Sequence, residues 1–179
     1  GLGNFGHGNP HYALSIALNI DDLTNVGVIY NPVFDELFTC IIGQGAYLNN
    51  NLISVSKTSH LKHALLSTRF PYDLSKEDPS TLNIYHDMTL NTEGVLNHAT
   101  ATLDLAYVAA GRIDGFWAKG MNAWDLTAAA LLIKEAGGKV TTLSGNNHSM
   151  ESTEIIATNG AIHKEVLNII SKKIKETKT

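Results

Sequence analysis

Apolar positions recur at strand spacing over the first third of the chain and at helix spacing over much of the rest. Residues 12–18 (Tyr-Ala-Leu-Ser-Ile-Ala-Leu) read as a mostly buried strand, with 26–30 (Val-Gly-Val-Ile-Tyr) as its neighbour across the polar turn 21–25. Residues 37–42 predict a third strand. After the turn at Gly43-Gln44-Gly45, residues 46–48 predict a short fourth, and Asn49-Asn50 turns the chain into 53–55. Strands this closely spaced predict an antiparallel meander. Residues 1–10 hold four glycines and a proline and read as a shaped loop. A further short strand at 64–68 runs into Arg69-Phe70-Pro71-Tyr72, and 73–79 read as a polar linker.

Beyond the linker the period lengthens. Residues 80–90 predict an exposed helix with Leu82, Tyr85 and Thr89 on one face. Residues 100–110 are an Ala/Leu helix closed by Gly111 and followed by a strand at 113–117. Residues 126–136 contain neither Gly nor Pro and end at Gly137-Gly138, a helix with a glycine C-cap. Strands at 139–143 and 154–158 flank the polar loop 144–149, and a closing helix at 161–175 carries Ile162, Val166, Ile169 and Ile170 on one face. The alternation from about residue 95 onward predicts a sheet with helices on both faces. The fold class is mixed α/β (α+β), with an antiparallel-sheet subdomain over 1–63 and an α/β subdomain over 64–179.

Composition narrows the function classes. A chain of 179 residues, 44% hydrophobic and 17% charged, can bury a core and is not disordered. No apolar run approaches the ~20 residues of a bilayer span, so no membrane partner is expected. Net charge is −4, and the basic residues are scattered apart from Lys172, Lys173 and Lys175, which argues against nucleic-acid binding. The lone Cys40, inside an apolar run, reads as a buried thiol.

Candidate chemistry centres on Asp125, the only ionisable residue between Lys119 and Lys134. It stands where the 126–136 helix begins, a position that favours a carboxylate. From the residues alone it reads as an N-cap beside a packed Trp124. The loop feeding the helix at Thr100 presents backbone N–H groups suited to a hydroxyl or an anion. Asp104, inside that helix, reads as a structural hydrogen-bonding group. His7 and His11 are four apart, but Gly8 and Pro10 between them exclude a shared helical face, so a zinc-binding pair is not expected. The other histidines lack a Cys or His partner at ligand spacing; His98, in the loop before Thr100, stands out by position. Asp35 and Glu36 point to opposite faces of a strand and read as a solvated turn.

Trp124-Asp125, the small-residue helix behind them and Glu135-Ala136-Gly137-Gly138 resemble the second signature of the inositol monophosphatase family of magnesium-dependent phosphatases. Val28-Ile29-Tyr30-Asn31-Pro32, Asp35-Glu36-Leu37 and Gly43-Gln44-Gly45-Ala46-Tyr47 resemble other parts of the family, so the likeness covers essentially residues 1–160. The resemblance implies a layered sugar-phosphatase-like fold and Mg²⁺ as cofactor. It also implies hydrolysis of a small phosphorylated polyol, such as inositol 1-phosphate, by metal-activated water. Asp125 would be a metal ligand, the backbone N–H groups of Gly1 and Leu2 would cradle phosphate, and Thr100, Ala101 and His98 would face the substrate. A cytoplasmic homodimer goes with the family.

In the resembling enzymes an upstream Glu and a loop reading Asp-Pro-hydrophobic-Asp-Gly-Thr supply the remaining ligands, and Gly1 falls at that loop's glycine. The fold is therefore expected to be incomplete at its N-terminus, and the chain inactive by itself. Leu2 replaces the family's Thr, Ala118 replaces a Glu of many members, and Leu96-Asn97-His98-Ala99 replaces an Arg- and Gly-containing loop. These departures keep two alternatives open: a non-catalytic protein-binding module, as in bacterial members that bind the transcription machinery, or a phosphatase for a 3'-nucleotide or a sugar bisphosphate.

Overall fold

The glycine-rich opening is not all loop: in the computed structural model, which describes residues 1–70 and 79–177, it forms a short helix, α1 (Leu2–Gly6). Local propensity disfavours this helix, and tertiary contacts override it. Asn4 Nδ2 lies 2.8 Å from the carbonyls of both His11 and His98 and 3.0 Å from Thr100 Oγ1. One amide thereby pins α1 to two distant segments.

The expected meander follows, although its first strand, read as mostly buried, turns its Leu and Ile side chains to an exposed face. β1 (Leu14–Ile20), β2 (Leu23–Asn31), β3 (Glu36–Ile41), β4 (Ala46–Leu48) and β5 (Asn51–Ile53) pair antiparallel in sequence order. Register sorts their side chains by face. Ile29, Phe38, Cys40 and Ala46 point inward and are buried. On the outer face Ile16 lies opposite Val28, Leu18 opposite Val26, and Val26 opposite Ile41. Leu14, Ile16 and Leu18 of that face are more than half exposed.

The second sheet combines β6 (Leu65–Thr68), β7 (Gly94–Leu96), β8 (Gly115–Ala118), β9 (Lys139–Thr141) and β10 (Ile155–Thr158) in the order β7-β6-β8-β10-β9. β6 runs parallel to β7 and β8, while β10 is antiparallel to β8 and β9. The three-residue β7 carries too little periodicity to be read from sequence.

Four longer helices complete the layers: α2 (Ser80–Asn91), α3 (Ala101–Ala109), α4 (Ala123–Glu135) and α5 (His163–Thr177). α3 and α4 lie between the sheets, which is why α4 is apolar all round, with every residue from Leu126 to Ile133 buried. Gly27 permits the close approach of α4 to the first sheet, since a Cβ there would stand 2.8 Å from the Ala128 carbonyl oxygen. α2 and α5 cover the far face of the second sheet, giving it helices on both sides as the alternation predicts. α5 buries Val166 and Ile170 as expected. α2, read as an exposed helix, turns Ile84 and Met88 inward and buries them, while Leu82 is 54% exposed. Contact with α5 selected that face. Pro79 caps α2, and the rest of the expected linker lies outside the described residues.

Candidate active site

The N-termini of α3 and α4 meet at one cleft. Thr102 Oγ1 donates to the Asp125 carbonyl at 3.2 Å, and a cavity of about 370 Å³ opens in front of both. Residues 99–102, Met121, Asn122, Trp124, Asp125, Gly1, Leu2, Ala13, Ser15 and Arg69 line it. Two helix dipoles ending on a common space favour an anion there.

α4 begins one turn earlier than the sequence suggested. Asn122 is its N-cap, so Asp125 is the third helical residue and not the cap. Trp124 is not packed; it is 71% exposed at the rim of the cleft. Among the described residues none donates a hydrogen bond to the Asp125 carboxylate, which stays partly exposed in the cleft. An acid left open beside two helix N-termini is available to a ligand.

Thr100 caps α3 and is 2% exposed; its hydroxyl donates to the His11 carbonyl at 2.6 Å and lies 3.0 Å from Asn4 Nδ2. That hydroxyl is occupied inside the protein. Ala101 is buried as well, so this wall offers the cleft mainly backbone. Ala99 sits at φ 58°, a left-handed turn that aims the chain into α3. Gly1 is packed so closely that a Cβ would stand 2.8 Å from Tyr12 Cα and 2.9 Å from Thr100 Oγ1. Arg69 and Asp125 line the same cleft. The Leu2 side chain is 85% exposed.

Asp125 is the one carboxylate among the lining residues. Mg²⁺ is bound through one or two carboxylates, with waters and substrate phosphate oxygens completing its shell. A hard, unpaired oxygen donor next to an anion-favouring space fits one such ligand position.

His98 takes a different place. Its Nδ1 lies 2.6 Å from Asp104 Oδ1, and Asp104, fully buried, also accepts the Ser67 hydroxyl at 2.8 Å through Oδ2. Asp104 thus has the structural hydrogen-bonding role expected of it. This pairing raises the His98 pKa, whereas burial lowers that of His11. The rings of His11 and His98 stand 4.7 Å apart, beside a second cavity of about 370 Å³ that meets the main cleft only at Ala99. His98 has no Cys or His partner at ligand spacing in the sequence; its neighbour His11 is brought to it by folding. No pattern in the sequence marks Ser15, Met121 or Asn122 as cleft residues.

The comparisons agree with this architecture. An inositol-1-monophosphatase from Synechocystis sp. is 40% identical over 166 residues, covering 93% of this chain and 58% of its own. The Nus factor SuhB of Pseudomonas aeruginosa is 41% identical over 172 residues, covering 95% and 64% respectively. The chain thus spans 58–64% of the length of these curated relatives. The structure of inositol monophosphatase from Anabaena (Nostoc) sp. matches with a TM-score of 0.91 at 40% identity, covering 95% of this chain and 68% of that one. The model of the inositol monophosphatase family matches residues 2–176, and the chain belongs to that family.

Proposed function

We propose that this chain forms the larger part of a Mg²⁺-dependent phosphomonoesterase acting on a small phosphorylated polyol. The observation that carries the proposal is the Asp125 carboxylate, which takes no hydrogen bond from any of the described residues and stands at the edge of a cleft on which two helix N-termini converge. Asp125 would hold one Mg²⁺, whose chemistry is to acidify bound water and polarise phosphoryl oxygens. The backbone N–H groups of Gly1 and Leu2 would take phosphoryl oxygens. Those at Thr100 and Ala101 would position substrate hydroxyls, with His98 bordering the adjacent cavity. Arg69, a cleft cation, suits the same anionic substrate. A cytoplasmic homodimer, and a subdomain boundary between residues 63 and 64, are parts of this proposal; the change of sheet between Ile53 and Leu65 supports the boundary.

With one carboxylate in the cleft, the chain alone should bind Mg²⁺ weakly and turn over little substrate. The test is a chimera that supplies the preceding segment of the Synechocystis relative, assayed for phosphate release from inositol 1-phosphate. Asp125→Asn should lower kcat/KM by ~100-fold or more, the scale for losing a charge-stabilising group at a reacting centre. Unchanged kcat/KM in that variant would remove Asp125 from the site.

A second reading, a protein-binding module without catalysis, is favoured by the relatives named Nus factor SuhB. Those names also leave the charge-based exclusion of nucleic acid without support. A chimera that hydrolyses no phosphomonoester, 3'-nucleotides and sugar bisphosphates included, would favour this reading.

A further inference from the structure

Outside the cleft, His11, His98 and Asp104 each bring a ligand atom to within 4.8 Å of the others. They come from three separate places: the segment before β1, the loop between β7 and α3, and α3 itself. Asp104 Oδ2 is steadied by the Ser67 hydroxyl, and Oδ1 faces His98 Nδ1. His11 Nε2 is buried with no hydrogen-bond partner among the described residues. A buried ring nitrogen left unpaired is costly, and such a group asks for an explanation. The adjoining cavity, bordered by Asn9, Pro10 and Phe34, gives an ion a way in.

We infer that His11, His98 and Asp104 form a binding site for a divalent cation of the Zn²⁺ type, distinct from the Mg²⁺ position proposed at Asp125. Two imidazoles and a carboxylate are a donor set for Zn²⁺ or Co²⁺, whereas Mg²⁺ prefers oxygen throughout. A fourth position faces the cavity. Ligand atoms around a tetrahedral ion with bonds of ~2.0 Å lie about 3.3 Å apart. The His98 and Asp104 atoms stand at 2.6 Å, so the ion takes the place of the hydrogen between them, which a neutral ring carries to Nε2, and the pair opens by roughly 0.7 Å. Asp104 is fixed in the core; His98, on a loop with its side chain 35% exposed, is the one that moves. Asn4 bridges the carbonyls of His11 and His98 to Thr100, so a bound ion also stiffens the wall of the neighbouring cleft.

The test is calorimetric titration of chelator-stripped protein with Zn²⁺ at pH 7.5, in two buffers of different ionisation enthalpy and with millimolar Mg²⁺ present. One ion per chain should bind, and the two buffers read how much of the His98 Nδ1 proton leaves rather than shifting to Nε2 as the pair opens. Co²⁺ should give the visible absorption of a low-coordinate nitrogen-ligated ion. His98→Ala and His11→Gln should each weaken Zn²⁺ binding by at least ~10-fold, the lower end of what losing even an outer partner costs; Asp125→Asn should not change it. Absence of stoichiometric Zn²⁺ binding overturns the inference, as does affinity that survives both histidine variants or is lost with Asp125. If His11→Gln disturbs the circular dichroism spectrum, His98→Ala, on the loop, decides alone.

Discussion

Mild acid should loosen this protein through a buried imidazole on which three elements meet. His163, at the start of α5, is 2% exposed, with Nε2 3.0 Å from Thr141 Oγ1 of β9 and Nδ1 2.9 Å from Thr158 Oγ1 of β10. Thr141 Oγ1 donates to the Thr142 carbonyl, so it accepts from Nε2–H; Thr158 Oγ1 accepts the Gly160 N–H and donates to Nδ1. The neutral ring is fully matched. A proton at Nδ1 would face a hydroxyl that is already donating. Burial, with a smaller contribution from Lys139, pushes the His163 pKa down to about 4.

Because the folded pKa lies below the unfolded value of ~6.5, acid charges the unfolded chain first. Stability from this group is full above pH ~6.5 and is lost progressively as pH falls toward the folded pKa. The whole loss is roughly 3 kcal/mol, of which about 2 kcal/mol has gone by pH 5. Burial also holds His148 at about 4, so the two histidines must be separated. Urea melts at pH 7.5, 6 and 5 on the wild type, His163→Gln and His148→Gln do this. His163→Gln should be the weaker protein at pH 7.5 but lose about 2 kcal/mol less than wild type on going to pH 5. An equally steep loss in that variant would refute the reasoning.

Two smaller changes test the packing that positions the cleft. Gly27→Ala forces a methyl against the Ala128 carbonyl and Cys40 Sγ, both under 3.0 Å from the new atom, and should cost about 1–3 kcal/mol in urea melts by lifting α4 off the first sheet. Ala99→Gly relieves a left-handed alanine and should raise stability by up to about 1 kcal/mol, visible as a higher melting temperature.

Most of the layer plan was legible because the longer strands and the two interior helices carry apolar patterns, whereas β7 is too short to show one; α4 could be placed to within one turn from its Ala/Leu run and terminal glycines. The cleft was legible in part. Asp125 could be found because no other charge competes with it nearby, but its position inside the first turn depends on Asn122 being extended, which propensity does not reveal. α1 and the inward stripe of α2 were misread for a common reason: the contacts that decide them, Asn4 to the segments at His11 and His98 and Ile84/Met88 toward α5, span long stretches of chain. The pairing of His11 with His98 is the same kind of information, invisible to any spacing rule.

If copies of this chain associate through the outer side of the first sheet, concentration becomes a variable of the molecule's state. A β-layer with Ile29, Phe38, Cys40 and Ala46 on one side and a row of Leu, Ile and Val on the other has the apolar composition of a middle layer, yet Leu14, Ile16 and Leu18 stand more than half exposed. Any association that shields Leu14, Ile16 and Leu18 favours the folded form by mass action. Melting points measured at different dilutions would then belong to different species, and substitutions on those three residues would register as changes in assembly before they registered as changes in folding.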